Sequence, residues 1–213
     1  MNSPTLFDMP EEVEKVNWSD YATSLSFDER KIITWIMQIH NAGRSFDLDA
    51  TYSTGRFWEG LPQPRFCFDL DPQKKHVGCS DARRLPIRSG CIDSIMFDPP
   101  FVVAPSPAPG IIRDRFTCFK NIPDLYDFYR DALIEFYRLL RPAGIVAFKC
   151  QDIVSSGKQN LSHVKIVNYA ENIGFVCEDL FILARTNVLW SPNMKNQKHA
   201  RKNHSYFLVL VKK

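Results

Sequence analysis

A short segment, Asp98-Pro99-Pro100-Phe101, can bind an amino group that is carried on a flat ring. The two prolines fix their own backbone angles and disfavour helix at the preceding residue, so the segment is a stiff corner. The Asp98 carboxylate and the Pro99 carbonyl form a pair of acceptors without a donor, which suits an NH2 group with two hydrogens to place. The ring of Phe101 can stack on the heterocycle that carries the amine. The corner therefore predicts a site for the exocyclic amine of a flipped-out nucleobase.

Other acidic residues also stand where short apolar segments end. The segments 44–50, 65–71, 76–80 and 91–98 each finish near an acid or a small polar residue, which is typical of buried strands. In open parallel sheets, ligands bind beyond the carboxyl ends of the strands. The sequence thus predicts one site at which these carboxylates meet: Asp47, Asp49, Asp69, Asp71, Asp81 and Asp98.

Helical periodicity marks three further segments. Apolar residues recur at helical spacing over 28–40, 125–140 and 164–173. Ser26 and Glu29 have the spacing of a capping box in front of the first of these, and Gly43 is a stop signal behind it.

The remaining apolar segments complete a sheet. Residues 145–150 form the next strand, and 175–183 and 206–211 form a strand pair without a crossover helix. Short buried strands separated by helices predict an α/β fold, with a mostly parallel sheet of seven strands covered on both faces. The last two strands are expected to form an antiparallel hairpin at the sheet edge.

The corner DPPF resembles the catalytic motif of the class I, S-adenosylmethionine-dependent amino-methyltransferases. These enzymes methylate exocyclic amines of adenine or cytosine in DNA, or of bases in RNA. The resemblance implies that Asp98 and the Pro99 carbonyl orient the amine, that Pro100 keeps the loop rigid and that Phe101 stacks on the base. It extends over roughly residues 44–211 and implies a Rossmann-like fold and S-adenosylmethionine as the cofactor.

Three further stretches are similar to cofactor motifs of this family. FDLDATYSTGRFW (46–58) looks like a degenerate glycine-rich loop, with Asp49 at the acid position and Ser53 and Gly55 at two glycine positions. In CFDLDP (67–72), Asp69 matches the acid that holds the ribose hydroxyls, and in GCSDARRLP (78–86), Asp81 matches the contact to the adenine ring. The implied cofactor-binding residues are Asp49, Thr51, Tyr52, Ser53, Gly55, Asp69, Leu70, Asp81, Ala82 and Asp98.

The glycine-rich loop departs from the family pattern in two ways. Ser53 replaces a glycine, and a serine adopts a positive φ less readily. The helix expected after the loop is almost absent, because Gly60, Leu61, Pro62 and Pro64 follow at once. A loose or unusually shaped cofactor site is therefore expected, and Tyr52 is equally suited to core packing.

Two segments carry charges suited to a nucleic-acid partner. Residues 102–122 follow the corner and predict an active-site or target loop, whose candidate contacts are Arg113, Arg115 and Lys120. Residues 184–205 predict a basic hairpin, in which Lys195, Lys198, His199, Arg201 and Lys202 are candidate phosphate contacts. Residues 197–212 are similar to the closing hairpin of small phage and prophage-type DNA methylases, which favours DNA over RNA.

The length of the chain limits how the protein could recognise a target sequence. An N-terminal arm (1–26) and one methyltransferase domain (27–213) account for the 213 residues, and no block of about a hundred residues is left for target recognition. Short or relaxed sequence recognition is therefore expected, or specificity conferred by a protein partner or a homodimer.

No apolar run is long enough for a membrane span, and no signal peptide is evident, so a cytoplasmic, reducing location is expected.

The six cysteines are scattered, which argues against a metal site. None of them follows a proline, which sets aside the cytosine-C5 methylases. The leading hypothesis is methylation of the exocyclic amine of adenine in DNA. The alternatives are an RNA adenine or guanine amino-methyltransferase and, because of the degenerate loop, a catalytically silent nucleic-acid-binding module.

Overall fold

A computed structural model describes residues 21–103, 119–186 and 198–213 of the chain. Ten strands are present in these described ranges. They are β1 (Leu25–Ser26), β2 (Leu48–Asp49), β3 (Phe66–Asp69), β4 (Gly78–Cys79), β5 (Ile92–Phe97), β6 (Leu140–Cys150), β7 (Ile153–Ser155), β8 (Lys158–Asn160), β9 (Phe175–Ala184) and β10 (His204–Lys212).

Eight of these strands form one sheet in the order β1-β9-β10-β6-β5-β2-β3-β4, while β7 and β8 form a small separate hairpin. Strands β4, β3, β2, β5 and β6 run parallel, so their carboxyl ends lie along one side, which we call the carboxyl edge. Strand β10 lies between β6 and β9 and is antiparallel to both. The prediction of a mostly parallel sheet that closes with an antiparallel hairpin is therefore confirmed.

One strand was not expected from the sequence. The two residues of β1 pair in parallel with β9, so an eighth strand lies outside the hairpin. The prediction assigned these residues to the N-terminal arm, because two residues are too few to leave a periodic pattern.

Three helices cover the sheet in the described residues: α1 (Glu29–His40), α2 (Ile122–Leu139) and α3 (Ser162–Ile173). All three predicted helices are thus present. The first begins differently from the prediction, because Asp28 is its N-cap and accepts a hydrogen bond from the Arg30 amide at 2.9 Å. Ser26 instead accepts a hydrogen bond from the Asp28 amide, so it supports the cap from outside the helix.

Apolar residues fill a separate core on each face of the sheet. Along β5, Ile95 and Phe97 point into the core beneath α2 and α3, whereas Met96 points into the core beneath α1. This alternation is the period of two that a strand imposes on its side chains. The ring of Phe97 packs edge-on against Phe136 and Phe148, with centroids 4.8 and 4.9 Å apart. Because Phe97 directly precedes the corner, the core fixes the place where the corner begins.

The connection from β2 to β3 contains almost no helix, as the sequence predicted. A single 3-10 turn over Arg56–Trp58 takes the place of a crossover helix, and Trp58 is fully buried in the core beneath α1. In the described ranges, no helix combines the length and apolar character that crossing a membrane requires.

Candidate active site

The corner 98–101 lies at the carboxyl end of β5, between the ends of β2 and β6. The Asp98 amide donates a hydrogen bond to Thr51 Oγ1 at 2.9 Å, which ties the corner to the loop after β2. Tyr129 Oη donates to the Pro100 carbonyl at 3.4 Å from the side of α2. Within the described residues, by contrast, the Pro99 carbonyl accepts no hydrogen bond. The corner therefore contains one carbonyl without a donor among the described residues, next to Asp98 in the chain.

A buried lysine, Lys149, lies against the Asp98 carboxylate. Its Nζ donates to Asp98 Oδ2 at 2.9 Å and forms an ion pair with Glu29 Oε1 at 2.6 Å. The lysine side chain is 8% exposed, whereas the Asp98 and Glu29 side chains are each 28% exposed. The sequence predicted a strand at 145–150, but it did not indicate the contact of Lys149 with Glu29 on α1.

Asp98 and Lys149 influence each other's pKa, and the Glu29 carboxylate acts on both. Burial raises the pKa of the Asp98 carboxyl, and the positive charge of Lys149 opposes this rise. For Lys149, burial alone would lower the pKa, but the carboxylates of Asp98 and Glu29 outweigh it and the pKa is raised. Lys149 is therefore a protonated ammonium group at neutral pH.

The loop after β2 is organised by the carboxylate of Asp49. This side chain accepts hydrogen bonds from the Thr51 amide at 2.8 Å and from Trp58 Nε1 at 2.6 Å. Burial raises the pKa of Asp49 from 3.8 to about 7, although both hydrogen bonds lower it. Asp49 and Thr51 thus support the loop from beneath, and their predicted contacts with a cofactor remain predictions.

The two predicted glycine positions of the loop both have a positive φ. Ser53 has φ +50° and Gly55 has φ +77°, so both backbones are in the left-handed region. A Cβ atom at Gly55 would approach the Tyr52 ring to 2.7–2.8 Å, which explains the glycine there. At Ser53 the left-handed backbone is held by a hydrogen bond from its amide to Asp69 Oδ2 at 2.7 Å.

Asp69 lies at the end of β3, next to this loop. Its other oxygen, Oδ1, accepts a hydrogen bond from the Asp71 amide at 2.9 Å. The next residue, Leu70, is 57% exposed although it is large and apolar. The strand end therefore offers a carboxylate beside an uncovered apolar surface.

The other predicted cofactor residues are placed as follows. Asp81 follows β4 and accepts two hydrogen bonds from Arg83 Nε and one from its Nη2, which lower the pKa of Asp81. Ala82 is buried in the core beneath α2 and α3. Tyr52 packs in the core beneath α1 and donates a hydrogen bond to Gln63 at 2.7 Å, so of the two roles considered for it the structure supports core packing.

Part of the predicted basic hairpin reaches the carboxyl edge. His199 Nε2 lies 3.0 Å from the Gly157 carbonyl, in the turn between β7 and β8. Gln151, just after β6, donates to the Lys202 and His204 carbonyls at 3.3 and 2.8 Å. Residues 198–202 are thus held beside the end of β6, one strand from the corner. They include four of the predicted phosphate contacts, namely Lys198, His199, Arg201 and Lys202.

The remaining predicted nucleic-acid contacts are distributed differently. Lys120 is exposed just before α2, at the base of the segment that follows the corner. The stems of this segment meet where Val103 pairs with Phe119. Arg113, Arg115 and Lys195 lie outside the described residues.

Comparison with known proteins gives the fold. No protein-family model matches the sequence, and no curated protein matches it significantly. Among solved structures, the 1,6-didemethyltoxoflavin-N1-methyltransferase of Burkholderia thailandensis, crystallised with 1,6-didemethyltoxoflavin and S-adenosylhomocysteine, has a TM-score of 0.56 at 14% identity. The match covers 92% of this chain and 80% of that chain. The fold is that of the class I methyltransferases. The Rossmann-like fold predicted from the sequence is therefore confirmed.

Two proteins from Thermus thermophilus are also similar. TrmN has a TM-score of 0.50 at 16% identity, and the match covers 86% of this chain and 48% of that chain. A provisionally named DNA modification methylase, crystallised with S-adenosylmethionine, has a TM-score of 0.45 at 20% identity. That match covers 62% of this chain and 53% of the methylase, so the chain matches only about half of the methylase's length.

Proposed function

We propose that the chain transfers a methyl group from S-adenosylmethionine to the exocyclic amine of a nucleobase in nucleic acid, with adenine in DNA as the favoured target. The observation that carries this proposal is the pair of acceptors at the end of β5. Asp98 keeps part of its carboxylate exposed, and the Pro99 carbonyl beside it has no donor among the described residues. Both lie next to the loop at which class I methyltransferases bind their cofactor.

The residues present fit S-adenosylmethionine. Asp69 supplies a carboxylate for the ribose hydroxyls, and Leu70 supplies an exposed apolar surface for a flat ring. Gly55 lets the loop pack closely on Tyr52, because any side chain there would collide with that tyrosine. When bound, this cofactor supplies an electrophilic methyl group carried on a sulfonium.

The chain's own residues align the acceptor and stabilise charge, as a methyl transfer requires. Asp98 Oδ1 and the Pro99 carbonyl accept the two amine hydrogens, and Phe101 stacks on the base. Bound S-adenosylmethionine would supply its methyl carbon to the amine nitrogen, and the electron pair of the carbon–sulfur bond would remain on sulfur. One proton leaves the nitrogen, either to Asp98 or to water.

A nucleic-acid substrate is supported by the position of residues 198–202. Their basic side chains lie beside the carboxyl edge, where they can neutralise phosphates flanking a base in the corner. The preference for DNA rests on the resemblance of residues 197–212 to small phage-type methylases. A protein partner or a second copy of the chain would supply any longer sequence recognition.

Transfer of tritium from labelled S-adenosylmethionine to DNA and to RNA, under equal conditions, tests the proposal. DNA is expected to be labelled, and digestion to nucleosides should place the label on adenine. Asp98→Asn should lower the rate by at least a factor of about 100, since it exchanges an acceptor for a donor. Asp127→Asn, at an exposed carboxylate of α2 that lies outside the site, serves as the matched control and should retain the rate. Label in RNA alone would exclude DNA as the substrate, and absence of label from both would favour a silent binding module.

A further inference from the structure

The ion cluster of Lys149, Asp98 and Glu29 contains two charged groups to which the proposed chemistry gives no role. Lys149 is almost fully buried at the end of β6, and Glu29 belongs to the first turn of α1 on the same face of the sheet. A buried ammonium group is costly unless it is paired, so both carboxylates are needed to keep the lysine there. The rings of Phe57 and Phe207 lie 5.1 and 5.7 Å from Nζ and close its remaining side.

We infer that Lys149 and Glu29 are positioning residues that set the orientation and the acceptor strength of Asp98, an inference that rests on the proposed function. The hydrogen bond from Lys149 fixes Oδ2 of Asp98, and charge-assisted bonds of this kind define geometry well. Oδ1 accepts no hydrogen bond from the described residues, so it is the oxygen left for the amine. The Asp98 carboxylate is thus held with Oδ2 toward Lys149 and with Oδ1 left for the amine.

Glu29 prevents the lysine from neutralising Asp98 completely. One ammonium group is shared between two carboxylates, so the cluster carries a net charge of about −1 when all three groups are ionised. A net negative cluster beside the amine stabilises the positive charge that develops on nitrogen as the new bond forms. Without Glu29, the pair of Asp98 and Lys149 would be neutral, and this stabilisation would be weaker.

Some of the charged groups around Asp98 raise its pKa and others lower it. Lys149 on β6 and Arg185 after β9 lower its pKa, whereas Glu29 on α1 raises it. Asp49 at the end of β2 is a further titratable neighbour, and the charge of Asp98 raises its pKa. Loss of the lysine and loss of the glutamate should therefore shift the titration of Asp98 in opposite directions, which a merely structural role would not do.

Carbon-13 NMR of the aspartate carboxyl groups in the cofactor-free protein tests this directly. The signal of Asp98 is assigned by its absence from Asp98→Asn. In Lys149→Met, the pH of half-titration should rise by about one unit or more, the range expected when a contacting opposite charge is removed. In Glu29→Gln, it should fall.

A control variant and the choice of a conservative substitution keep this test decisive. Asp28→Asn removes a carboxylate from the neighbouring position without a contact to Lys149, and Asn is also a good N-cap, so Asp98 should titrate as in the wild type. Glu29→Gln is nearly isosteric and remains a decisive test if Lys149→Met does not fold. An unchanged half-titration pH in both cluster variants would overturn the inference.

The pH dependence of methyl transfer is an independent test of the same inference. The acid limb of the pH profile of kcat/KM should move in the same direction as the NMR titration in each variant. If no nucleic acid is methylated, the proposed function fails, while the NMR result still decides whether the cluster sets the titration of Asp98. If methylation occurs but the titration is unchanged, only the inference fails.

Discussion

Replacement of Asp49 by asparagine would remove the most deeply buried carboxylate of the loop after β2. Asp49 is 3% exposed, and burial raises its pKa from 3.8 to about 7 despite the hydrogen bonds from Trp58 and Thr51. Between these two pH values, the folded protein holds a proton that the unfolded chain has released. The free energy of unfolding must therefore fall as the pH rises through this range.

The size of the effect follows from the pKa difference. Each pKa unit is worth about 1.4 kcal/mol, so the full contribution of Asp49 is on the order of 4 kcal/mol. This stability is fully present below the ordinary pKa of the carboxyl and is lost as the pH rises through the folded value near 7. Asparagine does not titrate, so Asp49→Asn should lack this part of the pH dependence.

Urea unfolding followed by circular dichroism, from about pH 4.5 to about pH 7.5, measures the difference between the two proteins. The wild type should lose about 1.4 kcal/mol per pH unit relative to Asp49→Asn, because the other carboxylates contribute to both proteins. Trp58→Phe removes a hydrogen bond that favours the charged form of Asp49. In this variant, the fall in the free energy of unfolding should therefore continue to higher pH. Parallel pH profiles for wild type and Asp49→Asn would refute the reasoning.

Three further predictions concern the cofactor site and the basic segment. Asp69→Ala should weaken S-adenosylhomocysteine binding by a factor of about 10 or more in calorimetric titration, because a charged acceptor is lost; unchanged affinity would remove Asp69 from the site. Gly55→Ala should lower the free energy of unfolding by about 1 kcal/mol more than Gly43→Ala, since both have a positive φ but only Gly55 meets a side chain; equal losses in chemical denaturation would contradict this. Arg201→Ala combined with Lys202→Ala should reduce the slope of log Kobs for DNA binding against log salt concentration by roughly 1 to 2, measured by fluorescence anisotropy. An unchanged slope would place both residues outside the interface.

Much of the fold could be predicted because its signals are local. The alternation of Ile95, Met96 and Phe97 between two cores and the apolar stripe of α1 both appear as short-range periodicity. The corner 98–101 could be placed because prolines restrict their own backbone whatever surrounds them. These features need no knowledge of distant residues.

The ion cluster and the burial of Asp49 could not be predicted in the same way. Lys149 and Asp98 are 51 residues apart, and their contact depends on the register between β5 and β6. Glu29 reaches the cluster only because α1 packs on that face of the sheet. An acid at a strand end suggests an exposed ligand, but Trp58 covers the Asp49 carboxylate and makes it part of the core.

The two segments that flank the carboxyl edge share one structural property. Each begins and ends at a stem closed by a backbone hydrogen bond, from the Phe119 amide to the Val102 carbonyl in one case and from the Arg185 amide to the Asn203 carbonyl in the other. Between two anchored ends, each doubling of segment length costs about 0.6 kcal/mol in loop-closure entropy. Under the proposed function these segments would set the target preference, and they can be exchanged or lengthened while the corner, its ion cluster and the sheet stay unchanged. For engineering, the stems mark the points at which a segment from a known DNA methylase could be joined.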